Sequence, residues 1–220
     1  MPKLEITFRL HAHNEIPADH AYLLYSAISH QLPEAHRNDN CFALHPISGC
    51  CVGARQMKLM ADSHLILRVE DGNVAPFLQL SGKSMRLGKG VLQVGIPEVR
   101  PLTPASHVRS RLVVIKVAGV SAAELTEDVF LAAAQKQIGK LGISEDATIE
   151  VGKRRTLRIR QKEIVGYETI VSGLSAEDSL QLQSEGIGGR RKLGCGVFVP
   201  ARARTAAQQP SLATTAEETE

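Results

Sequence analysis

The strongest constraint on the fold is an order of predicted elements that occurs twice along the chain. In the first half, apolar and polar residues alternate over residues 4–10, as in an amphipathic strand. A helix is predicted to begin near Pro17 and to end at Pro33, with an apolar stripe of Ala21, Leu24, Tyr25, Ile28 and Leu32. Strands at 41–47, 64–69 and 91–94 and a short helix at 73–80 complete a β-α-β-α-β order. That order is typical of a ferredoxin-like unit.

The second half repeats the order. Strands are predicted at residues 111–117, 148–151, 156–160, 165–171 and 197–199, and helices at 122–141 and 175–185. Residues 98–108 contain Pro101 and Pro104 and are predicted to form a linker. The predicted fold class is therefore α+β, with tandem ferredoxin-like domains at residues 1–98 and 108–200. Residues 201–220 are mostly small or polar, which indicates a disordered tail.

Bulk properties narrow the class of protein. The net charge of +3 is mild, so a nucleic-acid site must come from local clusters of Lys and Arg. No segment is long and apolar enough for a signal peptide or a membrane span, and we expect a cytoplasmic protein with no membrane partner. The cysteines lack zinc-site spacing and are expected to be reduced thiols. We expect no metal and no cofactor; the weak alternative is a metal site of His11, His13, Cys50 and Cys51.

A basic, glycine-rich segment closes the second half. Residues 186–200 read GIGGRRKLGCGVFVP and contain Gly188, Gly189, Arg190, Arg191, Lys192, Gly194 and Gly196. Glycine lets the backbone come close to a ligand, so its N–H groups are predicted to point at phosphate oxygens, while the three cations supply charge. The segment lacks the Gly-Lys-Ser/Thr of a nucleotide-binding loop. An elaborate turn with solvated charges is the alternative interpretation.

A second basic segment occupies residues 152–162, with Lys153, Arg154, Arg155, Arg158, Arg160 and Lys162. In a continuous strand the last three cations would share one face and repel one another unless a polyanion covered them. A solvated charged face is the alternative. The chain has 5 Phe, 3 Tyr and no Trp. RNA recognition through phosphates and overall shape is therefore expected, rather than a stacking platform.

Histidines are concentrated at the start of the chain, and the first 45 residues include His20, His30, His36 and His45. Imidazole titrates near neutral pH. RNA cleavage without a metal needs such a group, because the 2′-hydroxyl must lose a proton and the 5′ oxygen must gain one. His30 lies opposite the apolar stripe of its helix, and His36 and His45 follow that helix. A structural or solvent-exposed role is the alternative for each histidine taken alone.

Three stretches resemble a known family: IPADHAYLLYSAISHQLPEAH at residues 16–36, ALHPISG at 43–49, and the closing glycine-rich segment. The chain resembles the CRISPR repeat-processing endoribonucleases of the Cas6 family, especially the MYXAN-type branch, over about residues 6–200. The resemblance implies a metal-independent ribonuclease with tandem ferredoxin-like domains. It would cleave precursor CRISPR RNA within the repeat and leave 2′,3′-cyclic phosphate and 5′-hydroxyl ends. The guide RNA would pass to, or stay in, a surveillance complex with other subunits.

The same resemblance implies roles for individual residues. His36 occupies the place of a Leu-His that follows the first helix in many relatives, with Ala35 where leucine would stand. His30 matches relatives that carry the histidine near the end of that helix. We rank His36 first, then His30, His45 and His20 as catalytic candidates. Lys192 or Arg191 would stabilise the reacting phosphate. The alternative is a non-catalytic subunit that binds repeat RNA in a surveillance complex.

Overall fold

The first sheet is built around the strand predicted at the start of the chain. The structure is a computed structural model that describes residues 2–33 and 42–201. The elements of the first half are β1 (Lys3–His13), β2 (Ile16–Pro17), α1 (Ala21–Gln31), β3 (Phe42–Leu44), β4 (Cys50–Gly53), β5 (Gln56–Lys58), β6 (His64–Glu70), α2 (Val74–Leu78), β7 (Ser84–Leu87) and β8 (Gly90–Pro101). Five of these strands form an antiparallel sheet in the order β3-β6-β1-β8-β7. Strands β2, β5 and β4 form a small separate sheet.

Alternation along β1 produces the first core. Ile6, Phe8 and Leu10 point to one face and are buried. Helix α1 covers that face with Leu24 and Ile28, which are both fully buried. Burying such side chains is worth about 1.5–3 kcal/mol each. Packing of this face, rather than helix propensity, therefore holds α1 on the sheet.

The second half repeats the arrangement on a smaller scale. Its elements are β9 (His107–Val113), α3 (Glu127–Lys140), β10 (Thr148–Ile159), β11 (Lys162–Ser172), α4 (Ala176–Glu185) and β12 (Val199–Pro200). The strands form an antiparallel sheet in the order β10-β11-β9-β12. A second core, centred on Phe130, Tyr167 and Phe198, lies between this sheet and its helices. The whole is a mixed α+β fold with antiparallel sheets.

Both helices of the second half begin at a side-chain cap. Thr126 accepts a hydrogen bond from the Val129 N–H ahead of α3. Ser175 accepts one from the Asp178 N–H at 3.0 Å ahead of α4. Such caps satisfy N–H groups that have no partner inside the helix. The helix start predicted at residue 175 is confirmed, with Ser175 as the capping residue.

Several predicted boundaries are wrong. Residues 16–17 are paired in a strand with β5, so α1 begins at Ala21 rather than near Pro17. The predicted linker at 98–108 is mostly strand, because β8 continues to Pro101 along β1 and β9 begins at His107. The two strands predicted at 148–151 and 156–160 are one strand with a bulge between Val151 and Arg154. Strands β2, β4, β5 and β7 were not predicted, since each is only two to four residues long. The predicted tail at 201–220 lies outside the described residues, apart from Ala201.

A buried arginine joins the two halves. Arg68 on β6 is 2% exposed, and its Nη1 donates hydrogen bonds to the carbonyl oxygens of Gln183 at 2.5 Å and Phe198 at 2.8 Å. Both acceptors belong to the second half. The counter-charge comes from the first half, because Nη2 of Arg68 lies 2.5 Å from Oε1 of Glu5 on β1. Within the described residues, no helix is both long and apolar enough to cross a membrane.

Candidate nucleic-acid interface

The glycine-rich loop, residues 186–196, follows α4 and returns the chain to β12. Its centre is a single 3₁₀ turn at Arg191–Leu193, between Arg190 and Gly194, which both have positive φ. A Cβ on Gly186 would lie 2.1 Å from the carbonyl oxygen of Gly196, and one on Gly196 would lie 2.0 Å from that of Ile187. The two ends of the loop therefore approach at a distance that only glycine allows.

The N–H groups of these glycines already have partners inside the protein. Gly188 donates to Oε1 of Gln137 at 2.7 Å. The N–H groups of Gly189 and Gly196 donate to the carbonyl oxygens of Val114 and Leu112, and that of Gly194 donates to Arg191. The prediction that these N–H groups point at phosphates is therefore wrong. The glycines serve close packing of the loop on the second sheet, and any anion binding falls to its side chains.

Lys192 brings the loop to the first half. Its Nζ lies 5.9 Å from the ring centroid of Tyr25 on α1 and 5.5 Å from that of Phe42 on β3, within cation–π range. Residues 34–41 run between these two elements. A groove of about 530 Å³ lies beside this contact and is lined by Tyr22 and Tyr25 from α1 and by residues 188–193 of the loop. The basic loop and the helix that carries Tyr22, Tyr25 and His30 therefore face one another.

The three described candidate histidines, His20, His30 and His45, lie in different environments. His36 lies outside the described residues. His30 is exposed in the last turn of α1. The nearby Ser29 has its hydroxyl buried, with no hydrogen-bond partner among the described residues.

His20 is buried, and both of its ring nitrogens are occupied. Nδ1 donates to the carbonyl oxygen of Pro17 at 3.2 Å, and Nε2 accepts the N–H of Ile47 at 3.1 Å. This pattern fits the neutral ring. Burial lowers the pKa of His20, although the hydrogen bond to Pro17 opposes that shift. His20 therefore holds the turn before α1 against residue 47.

His45 is buried beside the arginine that joins the halves. Its Nε2 lies 3.2 Å from Oε1 of Glu5, the oxygen that also accepts from Arg68. Burial lowers the pKa of His45, and the carboxylate of Glu5 partly offsets this. Burial acts to raise the pKa of Glu5, but His45 and Arg68 outweigh it and bring that pKa to about 2. The carboxylate is therefore ionised at neutral pH.

The basic hairpin of β10 and β11 differs from the predicted row of cations. Arg160 lies in the turn with φ 54°, and Lys162 pairs with Ile159 across the hairpin. The prediction that Arg158, Arg160 and Lys162 share one face of a continuous strand is therefore wrong, because the chain reverses between them. The tip instead contacts α1: the Arg158 N–H donates to Oδ2 of Asp19 at 2.9 Å, and Nε of Arg160 donates to the Tyr22 hydroxyl at 3.2 Å.

An arginine-lined cleft lies between the two halves and encloses about 470 Å³. One wall carries Asp19, His20 and Arg55 from the first half, and the other carries Arg111, Arg154 and Arg155 from the second sheet. Partial burial lowers the pKa of Arg111, and the charges of Arg155 and Arg109 lower it further. Such a cluster of like charges favours an anionic ligand.

Glu168 orders part of this cluster. The carboxylate is buried on β11, where Oε2 accepts from Arg155 at 3.1 Å and Oε1 pairs with Arg109. The sequence-based prediction included Arg154 and Arg155 but missed Arg55, Arg109 and Arg111. The alternating arginines in HVRSRLV of β9 were the available signal. In the described part of the chain, no three His, Cys, Asp or Glu side chains come together as metal ligands.

Comparison with known proteins places this geometry in a family. The Cas6 model, described as "Cas6 Crispr", matches residues 4–203. A CRISPR-associated endonuclease Cas6 from Myxococcus xanthus is 37% identical over 187 residues, covering 84% of this chain and 76% of the relative. The chain belongs to the Cas6 family. It is thus a member of a family of CRISPR-associated endonucleases.

Solved structures of Cas6 proteins share the fold. A CRISPR-associated Cas6 protein superposes with a TM-score of 0.67 at 15% identity, covering 91% of this chain and all of the other. A Cas6-related protein from Pyrococcus furiosus gives 0.66 at 16% identity, with 92% and 100% coverage. At such low identity, the similarity supports the fold of this Cas6-family chain and not its individual residues.

Close packing within the glycine-rich loop leads to a stability prediction. Gly196→Ala would force the new Cβ against the carbonyl oxygen of Ile187 and strain a positive φ, at a cost of about 2–4 kcal/mol. Gly189→Ala is the matched control, because a Cβ there meets nothing within 4 Å. Urea unfolding of both variants measures the difference. Equal stability of the two variants would contradict the tight loop.

The neutral environment of His20 leads to a pH prediction. A folded-state pKa below the unfolded value means that stability is complete above about pH 6.5 and is lost as the pH falls through the folded pKa. His20→Gln keeps an acceptor for the N–H of Ile47 and should lower the free energy of unfolding by about 1–2 kcal/mol at pH 7.5. It should also remove part of the stability that is lost when the pH falls from 7.5 to 5.0. Urea unfolding at pH 7.5 and 5.0 tests it. His45 contributes in the same direction, so the loss should shrink and not vanish. An unchanged difference between the two pH values would refute the assignment.

Proposed function

We propose that this chain is a metal-independent endoribonuclease that cleaves precursor CRISPR RNA within the repeat and leaves 2′,3′-cyclic phosphate and 5′-hydroxyl ends. The observation that carries the proposal is the position of Lys192 over Tyr25 and Phe42. These two residues lie on either side of the segment with His36. A basic loop thus lies against the helix that carries His30, in a chain of the Cas6 family.

The proposed chemistry needs a proton carrier and a cation. The imidazole of His36, or else of His30, exchanges a proton with the attacking 2′-hydroxyl or with the departing 5′ oxygen. Lys192 or Arg191 stabilises the extra negative charge on the pentacoordinate phosphate. Of the lower-ranked candidates, His20 has both ring nitrogens bonded to protein groups, and His45 is buried with Nε2 3.2 Å from the Glu5 carboxylate. Their environments favour positioning roles and support the first two places in the ranking.

The proposed architecture is a tandem pair of ferredoxin-like domains, residues 1–98 and 108–200. The order β3-β6-β1-β8 in one sheet and β10-β11-β9-β12 in the other supports it, because each places its first and third main strands at the centre. A ferredoxin-like unit has this arrangement of strands. The short sheet of β2, β5 and β4 and the strand β7 are then additions to the first unit.

The proposed path of the RNA backbone runs along both grooves between the halves. The arginine-lined cleft would take phosphates through Arg55, Arg111 and Arg155. The glycine-rich loop adds its three cations beside α1. Exposed cations of the hairpin extend this surface: Lys153, Arg154, Arg158, Arg160 and Lys162. The glycines of the loop contribute by shaping it, since their N–H groups are engaged.

The partners we propose are the precursor transcript, the mature guide RNA and other subunits of a cytoplasmic CRISPR surveillance complex. A second candidate function is a repeat-RNA-binding subunit without catalysis. The burial of His20 and His45 favours this candidate, because it reduces the number of histidines available for proton transfer to RNA. Catalysis by this chain then depends on His36 and His30.

Cleavage in the presence of chelator tests the proposed reaction. The protein is incubated with repeat RNA in excess EDTA, and the 3′ end of the upstream product is characterised by mass spectrometry. We expect one discrete cut with a cyclic phosphate, because the nucleophile is the internal 2′-hydroxyl. Loss of cutting in EDTA would refute the metal-independent mechanism.

Substitution of the two leading histidines separates the two candidate functions. His36→Ala should lower the cleavage rate by about 100-fold or more with RNA affinity retained, because a general acid or base is lost. His30→Ala and the double variant establish the ranking, and His11→Ala is an exposed control. Undiminished cleavage by the double variant would show that the site assignment is wrong. Binding without any cleavage by the unaltered protein would favour the non-catalytic subunit.

The arginine-lined cleft leads to a binding prediction. Arg111→Met should weaken repeat-RNA binding by about tenfold or more and lower the slope of log K against log salt by about 1, because one phosphate contact is lost. Arg100→Met is the control, since Arg100 is 66% exposed and pairs with Glu98 at 2.6 Å. Filter binding between 50 and 200 mM salt, roughly the range over which counterion release is seen, provides the measurement. Equal effects of the two substitutions would argue against the cleft as the RNA path.

A further inference from the structure

Both ends of the glycine-rich loop are tied to one nitrogen atom of the first half. Nη1 of Arg68 donates to the carbonyl oxygen of Gln183, in the last turn of α4, and to that of Phe198, just before β12. These two acceptors lie on either side of residues 186–196. Carbonyl groups in the last turn of a helix have no partner inside it, and they attract a cation. Arg68 therefore closes the base of the loop.

The guanidinium is itself held in place from the opposite side. Its Nε and Nη2 both donate to Oε1 of Glu5, at 3.2 and 2.5 Å. The side chain of Arg68 is 1% exposed, and that of Glu5 is 25% exposed. The planar fork of arginine can meet acceptors on two sides at once, and the single ammonium of lysine cannot. The geometry requires arginine rather than only a positive charge.

The polar cluster of Glu5, His45 and Arg68 is connected to the loop at a second point. His45, whose ring lies beside Glu5, is followed by Pro46. A Cβ on Gly194 would lie 2.9 Å from Cγ of Pro46, so the loop packs directly on this proline. Two residues earlier in the loop, Lys192 covers Tyr25 and Phe42. The position of Lys192 relative to α1 is thus determined through Arg68 and Pro46.

Stability alone is a poor explanation for the cluster. Removing two charges from water is costly, and well-packed apolar replacements of a buried ion pair are often neutral or stabilising. A buried pair that links four segments specifies their relative geometry instead. Here the segments are β1, β6 and the two ends of the loop.

We propose that Arg68, held by Glu5, is a positioning residue for RNA cleavage: it fixes the glycine-rich loop so that Lys192 lies over Tyr25 of α1 and Phe42 of β3. Arg68 does not touch the RNA. The role in cleavage rests on the proposed function, while the effect on the loop does not. Misplacing a group by about 1 Å can cost about 100-fold in rate.

The test uses a double variant, Glu5→Gln with Arg68→Met, which leaves no unpaired charge in the interior. In single-turnover cleavage we expect a rate about 100-fold lower, with affinity for a 2′-deoxy, uncleavable repeat RNA within about threefold of the original. Arg68→Lys should not rescue the rate. Glu98→Gln with Arg100→Met, an exposed ion pair on β8, is the matched control and should leave rate and affinity unchanged.

Hydrogen exchange supplies a measurement that does not depend on cleavage. In the double variant the N–H groups of Gly188, Gly194 and Gly196 should exchange about tenfold faster or more, with those of β1 and β6 unchanged. If the loop of the double variant exchanges faster while the unaltered protein cuts no RNA, the link between Arg68 and the loop is supported and the proposed function is refuted. Unchanged loop exchange would overturn the inference. It would also be overturned by a cleavage rate that falls only in proportion to the folded fraction, or by one that stays within about threefold of the original.

Discussion

The buried guanidinium of Arg68 is the interaction on which the arrangement of the two halves depends. It lies in the first sheet, yet two of its hydrogen bonds go to carbonyl groups of the second half. The cost of burying a charge is offset only when its donors are satisfied, and Glu5 completes that requirement from β1. Any large rotation of one half against the other would leave the charge of Arg68 buried without its hydrogen-bond partners. The inter-half grooves therefore have a defined shape in the free protein, which lowers the ordering cost of binding any ligand there.

Glycine in this protein serves packing more than ligand contact. The loop before β12 has the composition of a phosphate-binding turn, but its glycine N–H groups bond to Gln137, Leu112, Val114 and Arg191. The loop is consequently a rigid support for Arg190, Arg191 and Lys192. A rigid support favours catalysis, because a cation held in advance near the reacting phosphate loses little entropy when charge develops there. The contact of Gly194 with Pro46 adds to this rigidity, because it supports the loop from the first half as well.

Local patterns predicted the fold better than they predicted the site. The strand at residues 4–10 and the helix start at residue 175 depend on interactions between near neighbours, and both predictions are confirmed. The reversal at Arg160 was missed because a basic strand and a basic hairpin have similar composition, and only pairing with β11 distinguishes them. Glu168 was missed for a related reason. Its role depends on Arg109 and Arg155, which belong to neighbouring strands of the sheet.

The histidines show a similar limit: their number in the sequence does not reveal which of them can transfer a proton to a substrate. Six histidines near one end suggested proton transfer, but the ring of His20 is bonded at both nitrogens and that of His45 faces a carboxylate. Burial keeps the pKa of each below the usual value, so both rings are neutral at pH 7 and tied to protein groups. A general acid or base must instead reach the substrate from a position open to it. His30, exposed in the last turn of α1, satisfies this condition, and Lys192 of the glycine-rich loop lies over Tyr25 of the same helix.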